Sequence, residues 1–259
     1  VNILSIVSGK GGVGKTTVSA NLSRGLRQQG LRVLSIDLDP QNGLRLHFNV
    51  SARSLGGLSR ATLEGENWRN CVVQGGLGDS VLPYGMVNED DRMDFEQVLR
   101  NNPNLLREQL ERMELHKDTI VVIDTPPGAS VYLSQALNAA NAALTVLLPD
   151  AASYATLPKI SSLIHKHCLI RPDFYSSKYL INQVDRIKQL SGDITDLLQA
   201  QFGQDSVWVI HQDQAIPEAF ASSRVLSEYD AYCRGTHDFN QCVLKTQQLF
   251  DLSDLKETV

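Results

Sequence analysis

Short apolar runs, rich in β-branched residues, recur along the chain at Asn2–Val7, Arg32–Asp37, Thr119–Asp124, Ala143–Leu148, Lys178–Asn182 and Ser206–Ile210. Most are nearly continuous rather than alternating, the pattern of strands buried on both faces of a parallel sheet. Between them the apolar positions take helical spacing. Val18, Leu22 and Leu26 step by four, and Gly30 ends that segment. Leu105, Leu106, Leu110 and Met113 form a second stripe, and Leu190, Ile194, Leu197 and Leu198 a third. Strands alternating with helices predict an α/β fold, a mostly parallel twisted sheet with helices on both faces. The stretch Ser51–Asp94 is the least regular and predicts short helices with an edge strand near Ser80–Leu82. Nothing resembles a linker, so residues 1–259 read as a single domain ending in a helical segment over about 238–259. Its apolar positions Phe239, Val243, Leu249 and Phe250 and its mixed charges suit packing on the chain's own core better than lipid.

Composition narrows the function classes. A 42% apolar and 20% charged chain is globular rather than disordered. The net charge of −5 disfavours a strongly basic nucleic-acid binder, while a local basic patch stays possible. No apolar run reaches the roughly 18 residues of a membrane-spanning helix. The first residues read as a buried strand, not a signal peptide. Cys71, Cys168, Cys233 and Cys242 form no CxxC pair, which argues against a disulfide framework or zinc site and for a reducing cytoplasm. His165, His167 and Cys168 read as a helix end, because a third and fourth metal ligand are missing.

The strongest chemical signal is Gly9-Lys10-Gly11-Gly12-Val13-Gly14-Lys15-Thr16-Thr17, a complete GxxxxGK[ST] phosphate loop after a strand and before a helix. Its glycines let backbone N–H groups converge on phosphate oxygens, and the helix brings its positive end to the same spot. Lys15 suits the β- and γ-phosphates and the Thr16 hydroxyl suits Mg²⁺. Asp37-Leu38-Asp39-Pro40-Gln41 then sets two carboxylates on one side of a strand end, a pattern that capping aspartates in a turn also give. Ile120-Val121-Val122-Ile123-Asp124 is a Walker B strand whose aspartate would hold Mg²⁺ through water. Asn182 and the stretch Val209–Asp213 lie at later strand ends; an amide there suits an adenine edge, although such residues also form turns.

Lys10 is not required by the ordinary motif. With it, residues 10–16 read KGGVGKT and resemble the deviant Walker A loop of the MinD/ParA family of ATPases. The resemblance runs from residue 1 to about 230. It implies a P-loop NTPase fold, ATP and Mg²⁺ as cofactors, hydrolysis at low turnover and an ATP-dependent homodimer. Lys10 would then reach across the dimer interface to the phosphates of the other subunit. In that reading Lys10, Lys15 and Asp39 are catalytic, Asp39 orienting or activating the attacking water from switch I. Gly11, Gly12, Val13, Gly14, Lys15, Thr16, Thr17, Asn182, His211 and Asp213 bind the nucleotide. Thr16, Asp37 and Asp124 serve the metal, the aspartates through water. Thr125-Pro126-Pro127-Gly128 resembles switch II.

Within that family, residues 43–50, 63–69, 82–85 and 210–229 are similar to the BcsQ (YhjQ) branch of bacterial cellulose secretion systems. This implies a cytoplasmic dimer that supports assembly, localisation or regulation of a cellulose synthase complex. BcsR-like and BcsE-like proteins are then the expected partners. No nucleic acid is expected, and the inner membrane is reached only indirectly, through partners. Four readings compete. A partition ATPase usually needs basic surface for DNA. A division-site ATPase usually ends in a basic amphipathic helix. An iron–sulfur reductase needs a cysteine near switch II, yet none occurs between Cys71 and Cys168. A scaffold that binds ATP and barely hydrolyses it is the fourth, and Lys10, Lys15 and Asp39 weigh against it.

Overall fold

The computed structural model describes residues 1–51 and 56–251. Eight strands, β1 (Asn2–Val7), β2 (Arg32–Asp37), β3 (Val73–Gln74), β4 (Ser80–Leu82), β5 (Thr119–Asp124), β6 (Ala142–Leu147), β7 (Ser176–Val184) and β8 (Val207–His211), form one sheet. Their order is β3-β4-β2-β5-β1-β6-β7-β8. Neighbours are parallel except for the β3–β4 pair. Four strands coincide with the sequence expectation, β6 and β8 shift by one residue, and β7 extends at both ends. The two-residue β3 has no periodicity to read and exists because Gly75 N–H, donating to Asp79 O at 2.7 Å, folds it back on β4.

The continuous apolar runs follow from two cores. Leu4, Ile6, Ile120 and Val122 enter one cluster with Val18, Leu22 and Leu26. The residues between them, Ile3, Val121 and Ile123, enter the opposite one with Leu106, Leu110 and Ala136. Successive side chains alternate faces, so a strand covered on both sides must be apolar throughout. The first two helical stripes belong to the helices Lys15–Gln28 and Leu105–Arg112. In the third helix, Gln189–Phe202, Ile194 and Leu198 are buried but Leu190 and Leu197 are exposed. Ser191 and Thr195 occupy the inner face instead.

The last described helix is Arg234–Leu249, four residues earlier than expected, because Cys233 Sγ caps it by accepting from Thr236 N–H. Residues 252–259 of the expected segment lie outside the described residues. Phe239, Val243 and Phe250 pack into the first core. The contact with Lys15–Gln28 is close: a Cβ at Gly25 would lie 2.4 Å from Val243 Cγ2. The residue before Gly25, the buried Arg24, donates to Asp79 at 3.1 Å and to Glu228, tying the phosphate-loop helix to the β3–β4 turn and to the segment before the last helix.

Candidate functional site

The carboxyl ends of β2, β5 and β1 lie side by side where the chain turns to opposite halves of the sheet, from β1 to β2 on one side and from β5 across β1 to β6 on the other, the position at which open parallel sheets bind ligands. The glycine loop follows β1 there. Gly14 has φ +89°, and a Cβ on it would sit 2.4 Å from Asn182 Nδ2. Only glycine fits, since Asn182 Nδ2 donates to Val13 O at 2.9 Å and pins the loop to β7. Lys15 is buried, and its ammonium donates to Ser8 Oγ at 2.8 Å. Burial lowers its pKa, while the Asp124 and Asp39 carboxylates oppose that shift.

Two buried carboxylates meet opposite the loop. Asp37 and Asp124 are cross-strand partners on β2 and β5. Asp124 Oδ2 accepts from Thr16 Oγ1 at 2.7 Å and its Oδ1 accepts from Ser19 Oγ at 3.0 Å. Asp37 accepts from the N–H groups of Asp39 and Leu44, each at 2.9 Å. Burial raises both carboxyl pKa values, that of Asp124 to about 6, and the Asp124 charge pushes Asp37 higher still. A divalent cation would relieve this crowding. A hydroxyl and two carboxylates are the oxygen donors that Mg²⁺ prefers, so the residues fit that metal. Asp39 sits beyond them, half-buried, with Oδ1 accepting from Gln41 N–H at 2.9 Å. The Thr125–Gly128 turn hangs on β1: Thr125 Oγ1 donates to Ile6 O and Gly128 N–H to Ser8 O.

Lys10 lies at the rim, its ammonium 2.9 Å from Asp150 Oδ2, with both side chains about a third exposed (35% and 37%). Asp150 also caps the helix Ala151–Ile164 by accepting from Ser153 N–H. On the other flank Gly14, Thr17, Asn182, Gln212, Asp213 and Phe220 line a cavity of 330 Å³. His211 is not among its walls. Its ring turns inward, Nδ1 at 2.9 Å from Asp238 Oδ2 and Nε2 accepting from Arg186 Nε at 3.1 Å. Asp213 reaches the cavity, but its carboxylate accepts from the N–H groups of Ala215 and Gly235 and so starts two helices. Lys15, Thr16, Asp37, Asp39 and Asp124 are thus brought together, Lys10 stands at their edge, and His211 stands apart. Sequence reading missed Ser8, Ser19, Asp150 and the cavity wall of Gln183, Gln214 and Phe220, whereas Gln212 belongs to the Val209–Asp213 stretch it singled out. Only Ser8, directly before the glycine loop, has a position that signals a role.

A phosphate loop, a Walker B aspartate and a second loop lysine on a parallel sheet define a phosphate-loop nucleotide-binding protein of the MinD/ParA type. Comparison with solved structures agrees on the fold: MinD from Pyrococcus horikoshii, a structure complexed with Mg-ADP, superposes with a TM-score of 0.75 at 23% identity, over 100% of this chain and 99% of that one. The family model of the cellulose biosynthesis protein BcsQ matches residues 1–242, and the chain belongs to that family. Among its relatives, BcsQ of Salmonella typhimurium is 29% identical over 236 residues, 88% of this chain and 86% of that protein. The chromosome partitioning protein ParA of Caulobacter vibrioides is 28% identical over 248 residues, 92% and 91% of the two chains.

Proposed function

We propose that this chain is an ATP- and Mg²⁺-dependent ATPase of low turnover. Two copies close around ATP and act on the assembly, localisation or regulation of a bacterial cellulose synthase complex. The observation that carries the reading is the buried Lys15 ammonium, resting on Ser8 inside a glycine loop that faces Asp124 and Asp37. Loop N–H groups and Lys15 would hold the phosphates. Thr16, with Asp124 and Asp37 behind it through water, would hold Mg²⁺, which supplies charge neutralisation as the γ-phosphoryl group leaves. Asp39 would orient the attacking water, and the 330 Å³ cavity beside Asn182 has the place and the amide groups to take the base. Lys10, released from Asp150, would complete the partner's phosphate site.

Membership of the BcsQ family supports the cellulose reading, with cytoplasmic action and with BcsR-like and BcsE-like proteins as partners. No helix among the described residues is long and apolar enough to cross a membrane. The ParA relatives, matched at nearly the same identity, favour a second reading as a partition ATPase. Two experiments test the proposal. Calorimetry with Mg-ATP should show affinity in the wild type and its loss, by more than about 100-fold, in Lys15→Ala; unchanged affinity sinks the phosphate-loop assignment. A pull-down with a non-hydrolysable ATP analogue should retain cellulose synthase components that ADP does not.

A further inference from the structure

Residues 43–50 and 213–220 are remote in the chain and meet in the fold. His47 ends the one-turn helix Leu44–His47, and Phe220 lies in the helix Ala215–Ala221. Their ring centroids are 4.5 Å apart, with the planes inclined by 32°. His47 is buried; Phe220 is partly open and forms part of the wall of the 330 Å³ cavity. Burial lowers the imidazole pKa to about 4, so the contact joins two neutral rings at neutral pH.

The other end of the one-turn helix stands on the phosphate side. Leu44 N–H donates to Asp37 Oδ2 at 2.9 Å. A Cβ at Gly43 would touch Thr16 Cγ2 at 3.8 Å. Leu44 and Phe48 pack in a small buried cluster with Ala20, Val81 and Val225. The turn is therefore a strut, footed on a carboxylate of the metal side and topped by a ring that meets the cavity wall. Close-packed elements shift between arrangements rather than deform smoothly, so a restraint at one end is felt at the other.

We propose that the His47–Phe220 contact carries occupancy of the base cavity to the segment 37–47, so that a nucleotide with its base in place orders Asp39 better than a triphosphate alone. His47 and Phe220 are then positioning residues, and their role rests on the nucleotide-binding reading above. The ligand shifts this segment only by its different affinity for ordered and loose arrangements, and an aromatic contact of this kind sets that difference at about 3- to 10-fold.

Hydrogen exchange tests this without hydrolysis. The full chain is compared with Mg²⁺ and either a non-hydrolysable ATP analogue or inorganic tripolyphosphate, each at a concentration that protects amides 10–17 equally. In the wild type the ATP analogue should slow exchange over residues 38–47 about 3- to 10-fold more than tripolyphosphate does. His47→Ala and His47→Leu should abolish that excess while amides 10–17 stay protected, and His47→Phe should keep it. Ala or Leu variants that retain the full excess overturn the inference. Should His47→Ala fail to fold, His47→Leu, which fills the buried space without a ring and leaves the cavity wall intact, decides alone. Absence of protection at 10–17 in the wild type overturns the nucleotide-binding reading, and this inference with it.

Discussion

Lys10 spends its charge on Asp150 at a site where water reaches both partners, and such pairs contribute about 0–1 kcal/mol. The proposed release of this lysine toward a second subunit would therefore cost little. Asp150→Asn removes the charge yet keeps a side chain that can cap the helix Ala151–Ile164. Light scattering in Mg-ATP should then show more dimer at a given concentration in Asp150→Asn, and only monomer in Lys10→Ala, which still binds ATP. A normal dimer in Lys10→Ala would make Lys10 an ordinary loop lysine. His47 gives a second test at this scale. Its pKa falls from 6.5 to about 4 on burial, so below pH 6.5 the unfolded chain gains a proton that the folded chain refuses. The stability it contributes is whole above pH 6.5 and is lost as pH falls toward 4. His47→Phe keeps a ring and drops the proton. Urea denaturation should show the wild type losing roughly 2–3 kcal/mol more than this variant between about pH 7 and pH 4.5. Equal losses would place the titrating group elsewhere.

Which elements could be read from sequence depended on how many neighbours each had to satisfy. β1, β2 and β5 are covered on both faces, so their apolar runs, and the carboxylates Asp37 and Asp124 at their ends, were legible at once. The phosphate loop was legible because Gly14 answers to a backbone conformation and a single close neighbour, Asn182. Leu190 and Leu197 belong to the third apolar stripe yet lie exposed, because period alone does not say which face meets the sheet. His211 escaped because its partner, Asp238, arrives on a helix that sequence spacing does not place. The contact of that last helix with the phosphate-loop helix has its own consequence at Gly25. Alanine is the better helix former by about 1 kcal/mol, yet its Cβ would lie 2.4 Å from Val243 Cγ2. Overpacking of about 1–3 kcal/mol should outweigh the propensity gain. Gly25→Ala should thus lose stability in urea denaturation, and Val243→Ala should cost less in its presence than alone. Strict additivity would mean that the two helices separate at no cost.

At the scale of the molecule, one fold serves proteins that partition DNA and proteins of cellulose biosynthesis, and identity alone does not separate them: 28% to a ParA and 29% to a BcsQ. Salt dependence and nucleotide state should. A partition ATPase that holds arbitrary duplex DNA releases counterions, so its affinity collapses with salt; a net charge of −5 weighs against such binding by the chain as a whole, and only a local basic patch would support it. The ATP-bound dimer is the form in which either activity should be sought, and Asp39→Ala is the variant expected to accumulate it. Lys15, Thr16 and Lys10 are untouched, so ATP binding and the proposed dimerisation should persist, while loss of the carboxylate proposed to orient water should slow hydrolysis about 100-fold or more. Wild-type turnover in this variant would remove Asp39 from the mechanism. Held with Mg-ATP, it should leave duplex DNA unshifted at physiological salt and retain cellulose synthase components. In cells lacking the gene, the wild type should restore cellulose output, Lys10→Ala should fail to, and Asp39→Ala should restore it only if the closed dimer, rather than its cycling, is the working state. Tight, salt-sensitive DNA binding with normal cellulose would transfer the chain to the partition reading and leave the nucleotide site as described.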